Sequence, residues 1–335
     1  MSDLLAPSIS KNGLHAAVRT IAADALAAGQ GGALPTNAHY QRSHGFTAGT
    51  LQRALNHLRE HDALATTSRG ALGRQVEWVN LAATWHEAAL PPVRLLIPPS
   101  GLIETDVLAE MFAQTLTTNG IVHAIEHAHG GHNRLRAAAT GTADLAVVSK
   151  ATADAVVAAG LELTVPSRRR ELDVNTFYAP TRVMVVRRAG DRETTPRRIG
   201  IDRNSADHVL LTEGEFPPEK HEYIDIQFPR TLAWVLTGRV DAAIWHVTTI
   251  DVPITLAGFA LTPLRGSTPA AAGDDRSRAV IALSDARPEL AAIVTALPLS
   301  QLGQRQRAAA QAEVDRHREF FEVSSEGAVL AKRGG

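Results

Sequence analysis

Residues 45–74 read GFTAGTLQRALNHLREHDALATTSRGALGR. A turn at Gly45-Phe46 leads to Thr47, whose hydroxyl can accept a backbone N–H three residues on and so begin a helix. Leu51, Ala54, Leu55 and Leu58 form one apolar stripe at helical spacing, and the helix is predicted to run to Asp62. Residues 63–68 and 75–79 follow as two strands. RGALGR joins them, with Gly70 and Gly73 free to adopt positive φ.

Upstream, GLHAAVRTIAADALAA at 13–28 is apolar at helical spacing and is predicted as a first helix, ended by GQGG at 29–32. Pro35, Thr36 and Asn37 start a second, short helix that stops at His44-Gly45. Helix, short helix, helix and two-stranded ribbon is the order of parts in a winged helix-turn-helix, assigned to residues 8–80. The leading residues of the third helix of such a module approach base edges. Here they are Thr47, Thr50, Gln52 and Arg53. Arg42, Arg69 and Arg74 are placed to neutralise phosphates or enter the minor groove. The expected partner is double-stranded operator DNA. The competing reading is a structural module whose arginines are simply solvated.

LAATWHEAALPP at 81–92 is predicted as a linker helix closed by Pro91-Pro92. Beyond it, strands alternate with helices: VRLLIPP, IVHAIEHA, ADLAVVSK, TRVMVVRR, RRIGID, EYIDIQF, VDAAIWH and SRAVIALS against amphipathic runs such as IETDVLAEMFAQTLTTNG. The alternation implies an α/β fold with a largely parallel sheet over 93–300, closed by a C-terminal helix at 301–323. AAATGTADLAVVS (137–149) and VLTGRVDAAIWH (235–246) share one grammar: apolar helix, glycine (Gly141, Gly238), two residues, aspartate (Asp144, Asp241), buried strand. Such an echo suggests two lobes of related design, with a ligand cleft between them.

The 335 residues include 44% hydrophobic and 21% charged, enough for a packed core. With a net charge of −1, any DNA contact must come from a local patch. The absence of cysteine excludes disulfides, Cys-ligated zinc and thiol catalysis. No signal peptide is visible and no apolar run reaches the ~20 residues that span a bilayer, so a cytoplasmic location away from membranes is expected. No GxSxG elbow, P-loop or GxGxxG motif occurs, and neither an enzymatic activity nor a cofactor is expected.

Residues 34–73 resemble the GntR-like winged-helix family of regulators. The resemblance rests on Leu34-Pro35, on Thr50, Arg53, Ala54, Leu55 and Leu58, on Leu64, and on Arg69-Gly70 with Gly73. Thr36-Asn37-Ala38-His39-Tyr40 stands where that family has Ser-x-Arg-x-Leu. GGHNRLRAAATGTADLAVVSK, RRIGIDRNSADHVLLT and GRVDAAIWH resemble the C-terminal, periplasmic-binding-protein-like domain of YhfZ-type regulators. That resemblance implies a type-2 fold, two lobes joined by crossing strands near TRVMVVRR and SRAVIALS. The lobes would then be 93–180 with 275–300, and 181–274.

In a two-lobed binder, loops after strands present N–H groups and polar side chains to an anion. The candidate effector contacts are Ser100 and Gly101, Asn133 and Arg134, Ser149 and Lys150, Asp202 and Ser205, and Trp245 with His246 as a wall. They favour a carboxylate, phosphate or phosphonate group. The plain alternative is capping by Ser100 and Ser205, a turn at Asn133 and a solvated Lys150. His123, His127, His129 and His132 crowd one segment that reads as a strand; His127 and His129 would share a face, with His123 farther along it, but no carboxylate triad or HExxH helix accompanies them, so no metal is expected there. Reading two half-sites calls for a homodimer. The expected whole is a regulator whose operator binding responds to a small effector. The alternative is a cytoplasmic small-molecule-binding protein whose winged helix serves dimerisation or protein contact.

Overall fold

The computed structural model describes residues 6–70, 73–160, 166–191, 195–248, 254–265 and 277–333. Chain order begins with α1 (Ala6–Ala28), β1 (Ala33–Leu34), α2 (Asn37–His44), α3 (Ala48–Glu60), β2 (Leu64–Ser68) and β3 (Arg74–Val79). Helix α1 starts at Ala6 rather than near residue 13. Thr36 and Thr47 cap α2 and α3, each hydroxyl accepting a backbone N–H at 3.2 Å, from His39 and Thr50. Gly45 ends α2 at φ 70°. Leu51, Ala54 and Leu58 bury the predicted stripe against Val18, Ile21 and Ala25 of α1. The three strands form a sheet in the order β1-β3-β2. Gly70 and Gly73 both adopt positive φ where the ribbon turns, and Arg69 N–H donates to Gly73 O at 2.8 Å. Residues 71 and 72 of that turn lie outside the described residues.

Helix α4 (Leu81–Ala88) follows, where a linker helix ending before Pro91-Pro92 is expected. Asn80 caps it, and Thr84 Oγ1 donates to Ala63 O at 2.6 Å. Ala88 belongs to the α1–α3 core, whereas Trp85, on the same helix, belongs to the core of the next unit. The Arg287 guanidinium lies 5.7 Å from the Trp85 ring and donates to Pro92 O at 3.1 Å and Pro91 O at 3.2 Å. The segment is a packed joint, because the apolar side chains that gave it a helical pattern are divided between two cores.

The rest forms two lobes. The first contains β4 (Val93–Ile97), α5 (Ile103–Thr118), β5 (His123–His127), α6 (Gly131–Ala139), β6 (Leu145–Ser149), α7 (Lys150–Ala158) and β7 (Arg168–Glu171). The second contains β8 (Val183–Arg188), β9 (Arg198–Ile201), α8 (Ala206–Glu215), β10 (Glu222–Asp225), α9 (Thr231–Leu236), β11 (Ala242–His246) and β12 (Phe259–Pro263). The chain then returns to the first lobe with β13 (Ala279–Leu283), α10 (Leu290–Ala296) and α11 (Leu302–Arg333).

The sheet orders are β5-β4-β6-β13-β7 and β10-β9-β11-β8-β12. With the strand that has just arrived from the other lobe set aside (β13 and β8), the other four in each sheet, numbered along the chain, run second-first-third-fourth, and the arriving strand sits between the third and the fourth. The expected lobe boundaries therefore coincide with the two sheets. The sheets are less parallel than expected, since β13 runs antiparallel to β6 and β7, and β8 antiparallel to β11 and β12. The sequence echo has a matching structural role. Asp144 Oδ2 accepts Arg94 N–H of β4 at 2.7 Å, and Asp241 Oδ2 accepts Arg198 N–H of β9 at 2.9 Å. Asp144 ties the start of β6 to β4, and Asp241 ties the start of β11 to β9.

Helix α11 packs on α5 beside the first crossing. Gln306 Nε2 donates to Glu104 O at 2.9 Å and to Thr176 O at 3.0 Å. Arg182, at the end of that crossing, donates to the buried Glu313 carboxylate at 2.8 Å and to Val247 O at 2.8 Å.

Candidate functional site

The sheets place their strand ends opposite one another, and a compact cavity lies between the lobes. Pro98, Pro99, Leu102, His129 and Arg134 line it from the first lobe; Asp202, Ser205, Asp207, His208, Phe228 and His246 line it from the second. Polar pairs cross from lobe to lobe at the cavity. His129 Nε2 lies 2.8 Å from Asp202 Oδ2. Ser149 Oγ donates to Asp207 Oδ2. His246 Nε2 lies 3.1 Å from Glu104 Oε2, an ion-pair distance without the alignment of a directed hydrogen bond.

Each partner is fixed by its own lobe. Asp202 is fully buried, and its carboxylate accepts the N–H of Asn204 at 3.0 Å and of Phe228 at 2.7 Å. His208 Nδ1 accepts Asp202 N–H at 3.1 Å, so its proton sits on Nε2 and is donated to Ile244 O at 3.0 Å. Burial pushes the His208 pKa down, consistent with a neutral ring. Ser149 is also the N-cap of α7, accepting Thr152 N–H at 3.0 Å.

The strongest electrostatic feature is Arg134, only 4% exposed, on α6. Its Nε donates to Val147 O at 2.8 Å and Nη1 to Ala128 O at 2.6 Å, and neither bond uses Nη2. Burial pushes this guanidinium down to about 10, with Asp207 opposing the shift through space. Burial raises the Asp207 carboxyl to about 6, partly offset by the bond from Ser149. Asp207 Oδ1 is buried without a partner, an acceptor left open at the cavity wall. Burial also acts upward on Glu104, but His246 and Arg182 beside it hold its pKa below the ordinary value.

Of the predicted effector residues, Arg134, Asp202, Ser205 and His246 line the cavity and Ser149 reaches it through Asp207. The others lie elsewhere. Ser100 is exposed and does not cap α5, and Gly101 N–H is taken by Asp106 Oδ2 at 2.7 Å. Asn133 is exposed on α6 rather than in a turn. Lys150 pairs with Asp154 at 2.7 Å, away from the cavity. Trp245 is buried in the core on the far side of β11, because consecutive strand residues face opposite ways and His246 takes the cleft side. Sequence reasoning missed His129, Asp207, His208 and the aromatic walls Tyr178 and Phe228. Asp207 and His208 could have been found as two titratable residues in the first turn after the N-cap Ser205 of a helix facing the cleft.

The four clustered histidines separate. His123 bonds Ile121 O, His127 bonds Pro98 O at 2.6 Å and His129 meets Asp202, while burial lowers the His132 pKa. Strand β5 ends at His127, so His129 is set by the following turn and not by strand alternation.

On the N-terminal unit, Arg42, Thr47, Gln52, Arg53 and Arg69 are exposed, and Thr50 and Arg74 are half-buried. Thr47 Oγ1 is engaged in capping and lies 3.0 Å from Thr50 Oγ1. Arg74 Nη2 donates to Gln52 Oε1 at 3.1 Å, tying ribbon to helix. Arg53 projects from α3 near its start, on the face opposite the buried stripe.

Residues 81–316 match the YhfZ C-terminal domain family. The YhfZ protein of Escherichia coli (strain K12) is 28% identical over 220 residues, 65% of this chain and 69% of that protein. Among solved structures, the chain is similar to YhfZ from Shigella flexneri, with 22% identity over 69% of this chain and 95% of that one and a TM-score of 0.49. It is also similar to the alkanesulfonate-binding protein SsuA from Xanthomonas axonopodis pv. citri bound to MOPS, with 16% identity over 70% of this chain and 81% of that one and a TM-score of 0.45.

Proposed function

The chain belongs to the YhfZ C-terminal domain family, and from that premise we propose that it is a transcriptional regulator whose operator binding is set by a small anionic effector held between two α/β lobes. The observation that carries the effector half is Arg134. A guanidinium buried to this degree is costly unless an anion completes its surroundings, and its two hydrogen bonds go to backbone carbonyls rather than to a carboxylate. A carboxylate, phosphate or phosphonate suits that position, with a hydrogen-bond donor on the same molecule for Asp207 Oδ1.

The DNA half is a proposal from the N-terminal unit. Its helices and ribbon have the order of a winged helix of GntR-like type, and Arg42 in the last turn of α2, Arg53 on α3 and Arg69 at the ribbon turn are exposed. The regulator acts in the cytoplasm as a homodimer. Effector binding changes the relative free energies of two lobe arrangements, and the coupling to DNA is the difference in operator affinity between them. No helix among the described residues is long and apolar enough to cross a membrane.

A second reading, a small-molecule-binding protein whose N-terminal unit mediates dimerisation or protein contact, is favoured by the net charge of −1 and by the Gln52–Arg74 bond, which occupies two expected DNA-contact residues with each other. Gel-shift titration of the full chain on its own promoter region separates the two. Specific binding with a steep salt dependence supports the regulator, and absent or salt-insensitive binding supports the second reading. Thermal-shift screening with small carboxylates, phosphates and phosphonates tests the cleft.

A further inference from the structure

The end of α3 carries a group of side chains that neither the cleft nor a DNA-facing surface uses. His57 lies in the last turn of α3, His61 follows as its C-cap residue, and Glu87 comes from α4. One ligand atom from each of the three lies within 4.8 Å of the others. The helical spacing of four residues brings the two imidazoles together, with ring centroids 4.0 Å apart. His57 Nε2 is 2.9 Å from Glu87 Oε2, and the pair is only partly exposed, 33% and 17%. His61 Nδ1 donates to His57 O at 2.8 Å. That bond fixes the His61 tautomer and leaves Nε2 with a free lone pair, the arrangement by which a backbone carbonyl orients a metal-binding imidazole. The C-terminal end of α3 also carries the negative pole of the helix, which favours a cation.

We propose that His57, His61 and Glu87 form a binding site for a divalent transition-metal ion of the zinc class, which joins the end of α3 to α4. Two imidazoles and one carboxylate are a donor set such ions accept, and the fourth position is left to water. Bonds of about 2.0–2.2 Å to the three ligands require the ligand atoms to be roughly 3–3.5 Å apart, so His61 closes by about an ångström. His61 is exposed and can rotate to do so. At His57 the ion takes the Nε2 lone pair, and the proton now shared with Glu87 moves to Nδ1. The site lies apart from the 123–132 histidines, and its carboxylate comes from another helix than its two imidazoles.

The test is titration of the full-length, chelator-treated chain with zinc chloride, followed by calorimetry and by thermal melting. One equivalent binding with Kd on the order of micromolar or tighter is expected, with a rise in melting temperature as zinc is added. His61→Ala and Glu87→Gln should each weaken zinc binding at least about 10-fold and remove the rise. His61→Ala should melt like the wild type without metal, since that side chain is exposed, which separates lost ligation from lost folding. His86→Ala and His127→Ala should bind as the wild type does. Weaker or non-stoichiometric binding overturns the proposal, as does unchanged affinity in both ligand variants or loss of binding in either control. None of these outcomes depends on DNA or on the cleft.

Discussion

His129 Nε2 and Asp202 Oδ2 meet at 2.8 Å although the two residues belong to different lobes. Asp202 is held on its own side by two backbone N–H donors, so it is a fixed acceptor and His129 is the partner that can withdraw. His129→Ala should lower stability by about 1.5–3 kcal/mol, the usual worth of a hydrogen bond to a charged group. Denaturant unfolding of the full chain measures this, and a variant as stable as the wild type would show that the pair does not hold the lobes together.

The second crossing contact gives a pH dependence. Asp207 is raised from 3.8 to about 6 in the folded chain, with burial as the main cause. The folded chain therefore keeps this proton to higher pH than the unfolded chain does. Its contribution is fully present below about pH 4 and is lost as pH rises through about 6, a change of roughly 3 kcal/mol. Asp207→Asn lacks this dependence. The melting-temperature difference, wild type minus Asp207→Asn, should fall between about pH 4 and pH 8, and a flat difference would contradict the assignment.

Arg134→Met should do two separable things. It leaves Val147 O and Ala128 O without their side-chain donor, at a cost of about 2–5 kcal/mol in stability. It should also abolish the thermal shift from any anion that stabilises the wild type, a loss of about 2–5 kcal/mol in binding. Retained anion affinity would move the effector's acidic group away from α6.

Arg53→Ala should weaken operator binding by ~1–3 kcal/mol in gel-shift titration while leaving the melting temperature unchanged, since the side chain is exposed. Unaltered affinity would remove Arg53 from the base-reading set.

Glu313→Ala should destabilise the chain by about 1.5–3 kcal/mol, because it removes the hydrogen-bonded carboxylate from the Arg182 guanidinium beside the crossing and leaves Glu104, at 4.0 Å, as the acidic group beside it. Calorimetric unfolding measures this. A small effect would mean that α11 is not needed to hold the crossing.

Much of this architecture was legible in the sequence for local reasons. Thr47 and Gly45 act through neighbours a few residues away, and Asp144 and Asp241 repeat one strand-starting device, so both leave compact patterns. Strand β7 left none: its residues, Arg168–Glu171, are all exposed at a sheet edge and show no alternation. The cleft was legible by half. Every residue of β11 is buried, so polarity could not say which side faces the cavity, and Trp245 and His246 had to be separated by the pleat. Ser100 and Gly101 have the composition of an anion loop, but their N–H capacity is turned inward by Asp106, a distinction that exists only in three dimensions. Asp207 matters because a serine from the other lobe reaches it, 58 positions earlier in the chain.

The joint at α4 has a mechanical consequence. Trp85 and Leu26 are part of the first lobe's core, and Arg287 of that lobe grips the Pro91-Pro92 backbone. The N-terminal unit and the first lobe thus share a chassis, while the second lobe hangs from two chain crossings. A swing of the second lobe alone would leave the N-terminal unit where it stands. In a pair of chains, the distance between the two N-terminal units could then change only if the swinging lobes press on the neighbouring copy, which makes the second lobe's outer surface the lever.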